Sequence, residues 1–132
     1  MIDIKTGNVR LDNGFEFGIT TTVADLVGSE KVVDNGTYQT YALRGESLAG
    51  EAVALLFMFE QGVLQTVRFG CSAGQASWAD VSADQTRKEK AQNDQLLMTL
   101  LKTKAPHKFS WGSIESTLDA KTGDASIILS YR

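Results

Sequence analysis

Ala52-Val-Ala-Leu-Leu-Phe-Met-Phe59 is an unbroken run of eight apolar residues, closed by Glu60-Gln61-Gly62 and answered by Val63-Leu-Gln-Thr-Val-Arg-Phe69. A run of this length fits a strand buried on both faces or a short buried helix, and periodicity alone does not separate the two. The Gln-Gly pair and the alternating run behind it decide for a strand, the first arm of a central hairpin. Strand alternation puts Val53, Leu55, Phe57 and Phe59 on one face, and Ala54, Leu56 and Met58 on the other. An antiparallel sheet usually keeps one face in water. Two apolar faces on one strand therefore predict a cover over the second side, whether a helix of this chain, a loop or another protein.

Working outward, Ile2–Lys5 and Asn8–Leu11 alternate around Gly7 and suggest a small edge hairpin, with Phe15–Phe17 briefly extended after it. Val23, Leu26 and Val27 have the spacing of one helix face, and Thr22 with Asp25 matches a capping box ahead of Gly28. The spacing predicts a helix of at most two turns, which must dock to persist. Val32-Val33 leads into the Asp34-Asn-Gly36 turn, and Thr37–Leu43 alternates as a strand before a polar loop over 44–50. Gly70–Ser77 reads as a loop of small residues. Ser82 with Gln85 opens a long helix over 84–104, polar in its first half and carrying Leu96, Leu97, Leu100 and Leu101 in its second. Pro106 ends it. Lys108–Leu118 and Ala125–Tyr131 then read as the two strands of a last hairpin, turned over 119–124. The expected fold is α+β, in one domain over 1–132: a single, mainly antiparallel sheet with one short and one long helix.

At 132 residues the chain is long enough to bury about 70% of its unfolded surface. Thirteen basic against sixteen acidic residues give a net charge of −3, which speaks against nucleic acid, a ligand that asks for clustered positive charge. No apolar run approaches the ~18 residues of a membrane span. The N-terminus lacks the basic-then-apolar pattern of a secretion signal. Cys71 is the single cysteine, so no intramolecular disulfide forms. A reducing, cytoplasmic setting is the expectation.

Gly70-Cys-Ser-Ala-Gly74 matches the G-x-S-x-G nucleophile elbow and follows a predicted strand, with His107 downstream. The elbow must lead into a helix within a parallel sheet, whereas Gln75–Asp80 has no helical period and the strands read as hairpins. Cys71 with His107 is the only Cys–His pair available, and nothing in the sequence sets the two side by side. One Cys and one His do not close a zinc site without carboxylates. No phosphate loop, dinucleotide fingerprint or calcium loop is present, so no cofactor is expected. Trp111 shares a predicted strand face with Phe109 and reads as core. Trp78 reads as a lid beside the helix start.

Phe15-x-Phe-Gly-Ile-Thr-x-x-x-Ala-Asp-Leu-Val-Gly28, with Tyr41 and Leu55-x-Phe-x-Phe-x-x-Gly-Val-Leu-x-x-Val67, resembles the BamE-like small-lipoprotein module of the bacterial outer-membrane barrel-assembly machinery. The β-lactamase-inhibitor-protein fold uses related helix-plus-sheet units. The chain departs from that lipoprotein family in having no lipidated Cys near its N-terminus. The closing Phe109-x-Trp-Gly-x-Ile-x-Ser-x-Leu-Asp119 and Ile127-x-Leu-x-Tyr131 resemble the last hairpin of small bacterial proteins, some of them immunity partners of toxins. These resemblances imply a non-catalytic protein-binding module. Together with the lack of a credible catalytic constellation, the two apolar faces of the central strand and the mild acidity, they set the expectation of a cytoplasmic immunity protein or inhibitor that blocks a partner, with Tyr38 and Tyr41 as aromatic anchors and Glu46 and Glu51 as an acidic rim. Two alternatives belong to other classes: a small hydrolase or transferase using Ser72 or Cys71, and a homodimeric assembly module.

Overall fold

The computed structural model describes residues 2–3, 5–71, 83–101, 107–119 and 124–131. Strands β1 (Val9–Arg10) and β2 (Glu16–Phe17) form a small antiparallel ribbon, followed by a 3-10 turn at Val23–Asp25. Then come β3 (Glu30–Asp34), β4 (Tyr38–Leu48), β5 (Glu51–Glu60) and β6 (Val63–Cys71). Helix α1 (Ala83–Leu101) precedes β7 (His107–Phe109), β8 (Gly112–Asp119) and β9 (Asp124–Tyr131). Seven strands make one antiparallel sheet in the order β3-β4-β5-β6-β9-β8-β7. The fold class is α+β, dominated by sheet.

The apolar run forms β5 at the heart of this sheet. Its hairpin with β6 closes through Gln61 and Gly62, at φ 51° and 80°, between the paired residues Glu60 and Val63. Two left-handed residues in a two-residue loop make the turn whose twist suits flanking strands. From β5 the register carries one face of side chains across the sheet. Tyr41, Phe57, Val67, Leu129 and Ile114 stand side by side, and Leu43, Leu55, Phe69 and Ile127 form the next row.

One layer covers this face. Val9, Leu11, Phe17 and Leu26 from the N-terminal segment, and Leu96 and Leu97 from α1, join the sheet residues in one core cluster. Phe17 meets Phe57 edge-on at 5.0 Å between ring centroids. Leu96 and Leu97 share that cluster with Val9, Leu11 and Phe17 of the ribbon segment and with Phe57 and Ile127 of the sheet, which sets this part of α1 on the same face as the ribbon. The Tyr131 hydroxyl donates to the Gly7 carbonyl at 2.9 Å, clasping the N-terminal segment to the last strand. Gly7 sits at φ 79°, and a Cβ there would lie 2.5 Å from the Trp111 ring, so only glycine fits. Trp111 is buried, as its sequence context suggests, and stacks on Phe109 at 5.1 Å.

Several elements differ from the sequence expectation. The short helix is only a 3-10 turn: the Thr22 N–H does donate to Asp25 at 2.9 Å, but a cap cannot repay nucleation over so few residues, and Gly28 at φ 83° turns the chain away. The loop expected over 44–50 is the second half of β4, which continues past a bulge between Leu43 and Glu46. Gly45 at φ 75° absorbs the extra residue. The strand expected over Lys108–Leu118 folds back at Ser110–Trp111 into β7 and β8, because Gly112 at φ 154° lets the Ser130 carbonyl approach where a side chain would stand. At the N-terminus, Ile2 and Val9 form a single bridge, while β1 pairs with β2 instead. The segment 15–70, read as a helix-plus-sheet module, holds strands and that one 3-10 turn. Trp78, Ser72 and the loop around them lie outside the described residues.

Candidate functional site

Alternation that sends Phe57 into the core sends Leu56 and Met58 the other way. In the register of the sheet, Val33, Thr40, Met58, Thr66 and Ser130 form one row of this second face. Ala42, Leu56, Arg68, Ile128 and Glu115 form the next. Among the described residues, the ribbon, the 3-10 turn and the leucines of α1 join the core on the opposite side, while Asn93 of α1 lies 3.3 Å from where a Cβ on Gly70, the cross-strand partner of Ala54, would stand. Ala54 is exposed here, and Leu56, Met58 and Ile128 are only half-buried. Over Leu56 and Met58, the cover expected on the second face of β5 is therefore not supplied by the described part of this chain. Seven strands about 4.8 Å apart span ~30 Å. A standard protein interface takes ~800 Å² from each partner, a patch roughly 28 Å on a side, so the face has the right breadth.

Its centre is apolar and hydroxyl-lined. The Arg68 guanidinium donates to the Ser126 hydroxyl at 3.4 Å, and the Thr117 hydroxyl donates to the Ser126 carbonyl at 3.2 Å. Ser126 is buried on this face, as is Ala42 beside Leu56.

The four residues singled out in the sequence are placed apart. Tyr38 stands on the open face beside Glu60, about half exposed. Tyr41 lies on the covered face, half-buried, its ring edge-on to Phe59 at 6.0 Å. Glu46, past the bulge, accepts a hydrogen bond from the Asn13 side chain at 2.8 Å. Glu51 borders a shallow recess between the β4–β5 turn and α1, lined also by Ala49, Gln92, Gln95, Leu96 and Thr99. Sequence reading missed Val33, Thr66, Arg68 and Ile128 as members of one surface. The alternation of each strand was visible, but the pairing of β6 with β9 was not.

Electrostatics mark structural anchors. Asp12 accepts from the backbone N–H groups of Ala49 and Gly50 at 2.9 Å each. The Gly50 N–H most of all, then the Ser47 side chain, hold its carboxyl below the ordinary value, against a smaller upward push from burial. Ala49, at φ 52°, is thereby fastened in a left-handed turn. Asp34 is lowered by the Gly36 N–H and then by Lys31. Burial pushes Asp94 up, but the hydrogen bonds from Lys90, at 2.8 Å to each oxygen, and the charge of Lys90 outweigh it and leave the carboxyl low. Burial raises the Tyr131 phenol well above its usual range.

Cys71 ends β6 opposite Val53, while His107 begins β7, its ring stacked on Phe109 at 6.1 Å. Strands β9 and β8 stand between β6 and β7. Three strand spacings, about 14 Å, separate the two strands across the sheet, and Cys71 lies four residues along β6 from Val67, the residue level with His107, beyond the reach of a Cys–His hydrogen bond. Among the described residues, no group of three or more His, Cys, Asp or Glu could hold a metal ion, and no helix is long and apolar enough to cross a membrane.

No protein-family model matches the chain, and no curated protein matches it significantly. The fold is similar to that of a chain in the solved structure of "Rhs1-CT in complex with cognate immunity protein RhsI1", with a TM-score of 0.62 and 16% identity. The match covers 99% of this chain and 86% of that one. At that identity the likeness is one of fold.

Proposed function

We propose that this chain is a non-catalytic protein-binding module of the immunity or inhibitor type, which works by laying its open sheet face on another protein. The observation that carries the reading is the second face of β5: Ala54 is exposed, and Leu56 and Met58 are only half-buried, on a broad sheet surface opposite the core cluster. Apolar surface of this extent, flanked by polar residues, is the usual mark of an interaction site. The fold likeness to a chain of a toxin–immunity complex supports it. So does the separation of the Cys71 and His107 backbones in the sheet order, with β9 and β8 between them. The proposal includes a cytoplasmic setting, supported by the single cysteine.

The test is capture of a stoichiometric partner from source lysate by the tagged protein at moderate salt, run in parallel with Met58→Glu and Ile128→Glu. Both changes sit on the open face and leave the melting temperature near wild type. A partner held by the wild type and lost by both variants is the expected result. A partner held equally by all three removes the open face from the function. Labelling of Ser72 or Cys71 by a fluorophosphonate or iodoacetamide probe faster than in the unfolded protein would return the chain to the enzymes. Light scattering that finds a monomer at all concentrations separates the hetero-partner from a homodimer.

A further inference from the structure

We infer that the docking centre is one corner of the open face, where the β3–β4 and β5–β6 turns meet, and that it takes a basic protein surface bearing an apolar anchor; this rests on the protein-binding reading above. The Gln61 N–H donates to the Thr37 carbonyl at 2.8 Å, tying the two turns into one structure. Around this junction Tyr38 stands beside Glu60, Glu60 beside Val63, and Val33 beside Thr40 in the adjoining row. Seven large hydrophobic side chains are exposed among the described residues, and four of them, Val32, Val33, Tyr38 and Val63, belong to this corner. Exposed apolar residues scattered singly need no explanation, whereas a contiguous group does. Tyrosine is also among the residue types enriched at binding hot spots.

Charge selects the occupant. Residues 1–60 carry nine acidic against four basic residues, while 61–132 carry seven against nine. At the corner, Glu60 stands between Tyr38 and Val63, and Glu30 and Asp34 flank the edge strand. Lys31 is engaged with Asp34 at 3.3 Å, and Arg68 lies two rows away from Glu60. A partner that buries Tyr38, Val33 and Val63 desolvates the Glu60 carboxylate among them. A lysine or arginine opposite compensates that cost; an acidic or purely apolar surface does not. A second copy of this chain would bring its own Glu60 to the same two-fold contact, so like charges disfavour it. The bulge and charges of β3 also oppose addition of a strand to its edge, leaving the side-chain surface as the dock.

The test uses two soluble octapeptides, one alternating leucine and lysine, the other leucine and glutamate, titrated into the isotopically labelled protein. The expected result is that the lysine peptide shifts the amide signals of Val33, Tyr38, Glu60 and Val63, and the glutamate peptide does not. Tyr38→Ala and Glu60→Lys each weaken the lysine peptide at least fivefold, and Glu60→Gln weakens it less than Glu60→Lys. Equal response to both peptides, shifts spread evenly over the protein, or concentration-dependent shifts of the same signals without peptide would each overturn the inference. A lysate partner whose binding survives Tyr38→Ala and Glu60→Lys but not Ile128→Glu would overturn the corner while leaving the protein-binding reading intact.

Discussion

On the covered face Phe57 meets Val67, which meets Leu129; one residue along the same strands, Leu56 meets Arg68, which meets Ile128. The two faces share backbone, twist and register. The first is dry and roofed by Phe17, Leu26, Leu96 and Leu97, so each large side chain removed from water contributes roughly 1.5–3 kcal/mol. The second mixes aliphatic, hydroxyl and charged side chains at half exposure, where the same groups contribute much less to folding. What the open face gives up in stability it retains as surface that a partner can still bury.

The sharpest way to break this contrast is to truncate matching residues on either side. Phe57→Ala, on the covered face, is expected to cost about 3–5 kcal/mol in urea unfolding. Gly7→Ala tests the roof rather than the sheet. A left-handed alanine pressed on the Trp111 ring is expected to cost about 2–3 kcal/mol and to alter tryptophan fluorescence. Met58→Ala, on the open face, is expected to stay within about 1 kcal/mol of wild type. A loss comparable to that of Phe57→Ala would mean the open face is roofed after all. Ala49→Asn relieves a left-handed alanine at the β4–β5 turn and should raise stability by roughly 0.5 kcal/mol.

The smallest effect is the pH dependence of the same turn. Asp12 has a folded pKa below its unfolded value of about 3.9, so its contribution is present above that pH and lost as the pH falls through the folded value. Asp12→Asn should therefore melt below the wild type near neutrality, and the difference should close in the acid limb below about pH 4. A gap that persists there would assign the effect to lost geometry instead of charge.

Much of this architecture was legible in local residues. The eight-residue run, the Gln61-Gly62 turn and the period-2 pattern behind it named the central hairpin and sorted Phe57 from Met58, because strand alternation is a property of the backbone itself. Glycine misled where it acts inside a strand. Gly45 reads as loop and is a bulge, and Gly112 reads as part of one strand and is a reversal, since both depend on what a neighbouring strand needs. The candidate site was less legible. The odd spacing of Tyr38 and Tyr41 puts them on opposite faces of one strand, yet which face is roofed depends on where the N-terminal ribbon and α1 dock.

By itself, the sequence determined a mainly antiparallel α+β chain, a central two-faced strand and a long helix, all of which follow from periodicity and residue chemistry within a few positions. The tertiary structure alone decided the order β3-β4-β5-β6-β9-β8-β7, the clasp of Tyr131 on Gly7, and the gathering of Val33, Tyr38, Glu60 and Val63 at one corner. Those are contacts between residues distant along the chain, and their choice rests on burying the most apolar surface under one roof, a condition that no local window of sequence contains.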